Sequence, residues 1–302
     1  MPHKSARVSG PVIAGITALI SGFAIFVNGY GVAAWRDAGV AATPYTTAKN
    51  LVAGVILGVL AVAAHRRRGT RPWVTVSQRW RLVAVGILGG AIPFVLFFEG
   101  LARASSVQAA FIHKTLVVWV ALLAVPLLRE RLSALHLAAV GLLVAGEATI
   151  TGVDGLVFGT GELMILGATL LWAVEVVIAK TLLRDLAAAS VGAARMGIGA
   201  VVLVAWTIAS GGIAGMSALS ASAWAWIALT GLSLTAYVAT WYLALQRAQA
   251  VDVTAVLVLG ALVTAALRSG FAGASAPPAL GLGLIGAGSL AAIAAMRRVA
   301  AR

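Results

Sequence analysis

Seven ionisable side chains stand inside stretches that are otherwise apolar: Lys49, Glu99, His113, Lys114, Glu147, Glu175 and Arg195. In "FIHKTLVVW" (111–119) an imidazole and an ammonium sit side by side among Phe, Ile, Leu and Val. Groups of these types can bind a charged ligand, carry a proton or neutralise one another. Covalent catalysis has no visible equipment. Cysteine is absent, which excludes thiol nucleophiles, disulfides and zinc–thiolate sites. His3, His65 and His136 lie far from His113 in the pattern, so no metal-ligand spacing arises, and no glycine-rich phosphate cradle is present. The expectation is a non-enzyme without cofactor or bound metal.

What positions these groups follows from composition. Of 302 residues, 61% are hydrophobic and 10% charged, with mean hydropathy +1.02. A soluble domain is about half apolar and a quarter charged. This chain is therefore read as an integral membrane protein whose partner is the lipid bilayer. Its formal charge of +13 is explained by where the basic residues fall, and nucleic acid is not an expected partner. "MPHKSARVSG" resembles the basic start of a signal peptide, but the apolar run behind it is long and further spans follow, so an uncleaved first helix is expected.

A transmembrane helix needs about 20 mainly apolar residues. Ten segments qualify: 12–34, 42–64, 82–101, 106–126, 133–151, 162–180, 188–209, 223–244, 251–268 and 278–296. With the N-terminus inside, outer segments hold only Arg36, Arg103 and Arg268. Lys49, Lys114 and Arg195 lie within spans, and every other lysine and arginine is on the inner side. By the positive-inside rule both termini are then cytoplasmic, at the inner membrane of a cell.

The chain repeats itself. "LARASSVQAAFI" (101–112) aligns without a gap on "LQRAQAVDVTAV" (245–256), before spans four and nine. "TAKNLVAG" in span two resembles "GAARMGIG" in span seven, which sets Lys49 against Arg195, and "AAVGLLVAG" and "GLGLIGAG" close spans five and ten. Five spans per half force the second half to enter from the opposite side. The expected fold is all-α, ten transmembrane helices in two inverted five-helix repeats, 1–151 and 152–302.

"GLARASSVQAAFIHKTLVVWVALLAVPLLRERLSALHLAAVGLLVAG" (100–146) resembles the end of an EamA repeat of the drug/metabolite transporter superfamily, most specifically in "LLRERLSALHLAAVGLLVAG" with Glu130 at an acidic position frequent in the family. "LLWAVEVVIAK" (170–180) resembles the opening helix of a second repeat. The chain departs from the pattern at "LRSGFAGASAPP", where an "RER"-like turn would be expected, and at His113–Thr115, where many members carry proline. The resemblance implies a secondary transporter, commonly an exporter of amino acids or related small metabolites, working by alternating access through a central cavity. A channel, a non-transport scaffold and an intramembrane enzyme are the alternatives.

Depth assigns provisional roles, at about 1.5 Å of rise per residue. Lys49, Glu99 and Glu147 fall towards the outer side and are expected to form a charged cluster, either a packing element or a gate. Glu175 and Arg195 fall near the inner side, as an ion pair or as ligands. Lys114 lies about 12 Å below Ser106, near the midplane, with no carboxylate evident at its depth. A charge there costs roughly 2.5–3.5 kcal/mol on insertion scales, so it should face water or a partner. It is the leading candidate to bind a substrate carboxylate or phosphate; otherwise it is a fixed counter-charge. Asn28, Tyr30, His113, Trp119 and Trp172 complete the lining expected for a small-molecule site, with Trp241 and Tyr242 as packing. Glu99, Glu147 and Glu175 are the candidate gate or proton-carrying groups. "GVILG" (54–58) reads as a helix contact, and Glu130 with Arg129 and Arg131 as an anchor for its own loop.

Overall fold

The computed structural model describes residues 9–68, 74–101, 103–104, 106–152, 159–216, 219–273 and 275–300; Lys4, Arg7, Arg71 and Arg302 of the inner basic set lie outside them. The described residues form helices throughout. Single helices make span one (α1, Gly10–Asp37) and span two (α2, Ala42–Arg68). Span three is broken into α3 (Val76–Gly90) and α4 (Ile92–Leu101), and span four into α5 (Ser106–Lys114) and α6 (Leu116–Leu128). Span five is α7 (Ala134–Thr151), whose apolar stretch is shorter than the other nine. Spans six to eight are α8 (Thr160–Leu182), α9 (Ala188–Ala209) and α10 (Ala221–Arg247). Span nine breaks into α11 (Ala250–Leu257) and α12 (Gly260–Phe271), and α13 (Ala279–Ala300) is span ten.

The breaks have local causes. Pro93 cannot donate to the carbonyl four residues back, so span three parts at Ala91 and leaves the Gly89 carbonyl without a helix partner. Span four tightens at Thr115, whose N–H is shared between the Phe111 and Ile112 carbonyls at 3.2 Å each and whose hydroxyl donates to Ile112. Span nine tightens at the matching place through three-residue bonds from Val258 and Leu259. α5 and α11 begin 144 residues apart, and so do α6 and α12. The repeat therefore includes the break itself.

Packing obeys a two-fold relation. α1 lies along α10 as α8 lies along α4 and α3; α1 meets α11 and α12 as α8 meets α5 and α6; α2 packs on α9, and α7 on α13, across the axis. Glycines set the close crossings. A Cβ at Gly90 would collide with the Arg195 carbonyl, and one at Gly86 would lie 2.5 Å from Ile198 Cβ. In "GVILG", Gly54 abuts the Met196 carbonyl but Gly58 meets nothing within 4 Å, so half of that motif makes the contact. Large apolar side chains such as Val59, Leu127, Val201 and Leu290 point outward, while Lys49, Glu147, Glu175 and Arg195 are buried. That is the arrangement of a protein surrounded by lipid.

Candidate functional site

The inner-facing side of α2 carries Thr46, Lys49 and Asn50, which share one face at spacings of three and four. Leu51 and Val55 occupy the lipid side. Lys49 is 6% exposed. Its Nζ donates to Asn28 Oδ1 at 2.8 Å and stands 5.5 Å from the ring centres of both Tyr45 and Phe98. The Tyr45 hydroxyl is 2.9 Å from Thr230 Oγ1, joining this network to the second half. No carboxylate lies within 4 Å of Lys49 among the described residues.

Two further polar groups on this face have no hydrogen-bond partner among the described residues. Both amide atoms of Asn50, which is fully buried, and the hydroxyl of Thr46 are unpaired there. Elsewhere Thr17, Thr47, Thr169, Thr207, Thr230 and Thr235 return their hydroxyls to the carbonyl four residues back. Thr46 departs from that habit. Sequence reading passed over Tyr45, Thr46, Asn50 and Thr230; their spacing from Lys49 was the signal that could have found the first three.

The expected outer cluster does not form. Glu99 is exposed and bonds its own helical neighbour Arg103 at 2.7 Å. Glu147, 7% exposed at its side chain, pairs with Lys114 at 2.5 Å. Lys114 thus has the carboxylate that depth along the chain failed to reveal. Thr115 and Trp119 are committed to the helix break, with the indole donating to the Thr115 hydroxyl at 3.0 Å.

Glu175 and Arg195 are also not in ion-pair contact within 4 Å among the described residues. They flank Gly89, whose Cβ would lie 2.5 Å from Glu175 Cγ and 2.9 Å from Arg195 Nε. Glu175 accepts from the Tyr242 hydroxyl at 2.5 Å, and Arg195 remains within electrostatic range of Glu175, Tyr237 and Tyr242. Arg195 Nε itself has no hydrogen-bond partner among the described residues, so Glu175 offsets the guanidinium only at a distance. Aligned without a gap, the span-two and span-seven stretches set Arg195 against Asn50 rather than Lys49.

Beside this cluster, Trp172 donates to the Gly89 carbonyl at 3.0 Å, the acceptor that Pro93 left open. His113 packs edge-on against Trp172 and Phe97, with ring centres 4.9 and 5.3 Å away, and its Nδ1 has no hydrogen-bond partner among the described residues. Tyr30 turns away from Asn28 and stacks on Trp226 at 5.8 Å, 41% exposed, so it belongs to the outer surface of α1 and α10. A cavity of about 630 Å³ opens elsewhere, between α2, α9 and α10. It is apolar apart from Thr47 and Thr207, which bond each other, and none of the expected site residues lines it.

Glu130 corrects another expectation. Its carboxylate accepts from the N–H groups of Ala250 (2.6 Å) and Val251 (3.1 Å), so it caps α11 of the other half instead of its own loop.

Among the described residues, nine helices long and apolar enough to cross a membrane, one shorter apolar helix and polar groups turned inward define a multi-pass membrane protein of two repeats. The profile of the EamA-like transporter family matches residues 8–152 and again 159–294, and the chain belongs to that family. Among curated proteins, none matches. A solved structure described as "Crystal structure of protein" superimposes with TM-score 0.73 over 97% of this chain and 99% of its own, at 22% identity, a likeness of fold.

Proposed function

We propose that this protein is a secondary transporter for small organic metabolites carrying a carboxylate or comparable anionic group, amino acids and their relatives included, and that Lys49 binds that group. One observation carries the reading: Lys49 is a deeply buried cation with a neutral amide where Arg195 has a carboxylate neighbour. In each half a cation on the second helix faces a polar residue on the first, Asn28 for Lys49 and Glu175 for Arg195. Only the second-half cation has its charge balanced internally. An anionic substrate completes the first-half pair, and Thr46 and Asn50, on the same face, take its remaining polar groups. Lys114 is not needed for this, because Glu147 already neutralises it. Of the three candidate acids, Glu147 and Glu175 are buried and Glu99, paired with Arg103, is partly exposed, so we assign proton exchange during transport to the buried two.

The inverted repeat supports alternating access between the two halves. The basic residues favour termini in the cytoplasm of a cell whose inner membrane holds the protein, with export as the direction common in the family. The test is counterflow in proteoliposomes with a panel of labelled carboxylates. Lys49→Met should fold normally and lose exchange of anionic substrates, and Lys49→Arg should keep part of it, because charge survives with altered geometry. Undiminished exchange by folded Lys49→Met protein would remove the residue from the site.

A further inference from the structure

At the end of the bundle that carries both termini, the two halves are fastened through charged groups. The Glu130 carboxylate holds the first two N–H groups of α11, where the preceding Gln249 makes no side-chain cap. One turn into the next span, His136 Nε2 lies 2.9 Å from Asp252 Oδ1, both side chains 3% exposed, in contact but outside hydrogen-bond alignment. The His136 Nδ1 accepts from the Ser133 backbone N–H at 3.0 Å, which leaves the ring proton on Nε2, towards the carboxylate. Lys180 donates to the Leu245 and Ala248 carbonyls at the end of α10 and stands within electrostatic range of Glu130 and Asp252.

The repeat does not reproduce this at the other end. The turn corresponding to that of Glu130 and His136, residues 272–281, contains no acidic, basic or histidine residue, and the stretch opening span four, 104–110, contains no acid. Among the described residues, two ties between the halves there are neutral: the Trp35 indole to the Ala223 carbonyl at 3.0 Å, and Thr47 to Thr207 at 2.8 Å. Hydrogen bonds to a charged carboxylate are roughly twice as strong as neutral ones, and Glu130 accepts two of them.

We infer that Glu130, His136 and Asp252 form a one-sided latch that holds the start of span nine against spans four and five. The end carrying the termini opens only when α11 leaves it, so the opposite end is the easier one to open. This rests on the alternating-access reading, but not on any substrate or on Lys49.

The chain has no cysteine, so single reporters can be placed cleanly. Ala255→Cys, 2% exposed on α11, is reacted with a membrane-impermeant maleimide applied from the side of the termini. Ala168→Cys, buried on α8, serves as the control. Adding Glu130→Gln and Asp252→Asn together should speed labelling of the α11 reporter about tenfold and leave the α8 control unchanged, a shift of population towards the open end. An unaltered rate at the α11 reporter overturns the latch. An equal rise at both reporters signals general loosening and overturns it as well. Because no substrate is used, a negative counterflow result for Lys49→Met leaves this outcome readable on its own.

Discussion

Lys114 Nζ and Glu147 Oε1 meet at 2.5 Å, and the contact lies wholly inside the first half, between spans four and five. Neither residue is repeated in the second half, where Val258 takes the place of Lys114. Glu147→Gln should therefore leave a part-buried ammonium, 21% exposed at its side chain, without its partner. The cost should be about 1–3 kcal/mol, below the roughly 3–5 kcal/mol of a fully buried pair. Lys114→Met combined with Glu147→Leu should recover much of that loss. Thermal melting of the detergent-solubilised variants measures both, and a double variant as unstable as the summed singles would show that the two do not act as a pair.

Asn28→Asp would place a carboxylate oxygen where the amide oxygen now lies, 2.8 Å from Lys49. The internal pair so created should compete with an anionic ligand for the same ammonium, while the oxygen replacing Nδ2 gives up the 2.7 Å bond to the Ala24 carbonyl. Counterflow of anionic substrates should fall at least tenfold, about 1.4 kcal/mol of lost binding. Transport at the wild-type rate would mean that the substrate charge does not use Lys49.

The glycines of α3 make a graded prediction. Gly90→Ala meets backbone of α9 that cannot move aside, and Gly89→Ala meets the Glu175 and Arg195 side chains, which can shift at some cost. On α2, Gly58→Ala meets nothing and should be neutral or stabilising by up to about 1 kcal/mol, since alanine favours the helix. From highest to lowest, the melting temperatures should run Gly58→Ala, then Gly89→Ala, then Gly90→Ala.

Trp172→Phe keeps an aromatic ring but removes the donor to the Gly89 carbonyl, at a cost of about 1–3 kcal/mol for a buried acceptor left alone. Pro93→Ala supplies a backbone N–H that can reach the same carbonyl. In that background the Trp172→Phe penalty should shrink. Equal penalties in both backgrounds would separate the indole bond from the helix break.

Hydropathy and the run "LARASSVQAAFI" made the spans and their repeat legible, because lipid selects residue type along whole helices. Pairing was harder to read. Depth along the chain placed Lys114 and Glu147 at different levels, yet lysine and glutamate stems bridge several ångströms. The same reasoning grouped Lys49 with acids that belong elsewhere, since depth says nothing about which face of a helix is turned inward. Asn28 was legible as a polar residue in span one, but Tyr30, two positions on, falls about 200° around the helix and faces outward. The Glu130 cap on α11 joins residues 120 positions apart and has no local signature.

The two-fold packing has a consequence for how the protein is made. α1 and α2 find their main partners in α10 and α9, and α4 finds its partner in α8, whereas α1 and α2 touch each other little. The first five spans consequently cannot complete a core when they leave the ribosome. Lys49 and the open face of α3 must wait in the bilayer until the second half arrives. Stability is then a property of the whole chain, acquired late in synthesis, and either half expressed alone is a natural substrate for membrane quality control.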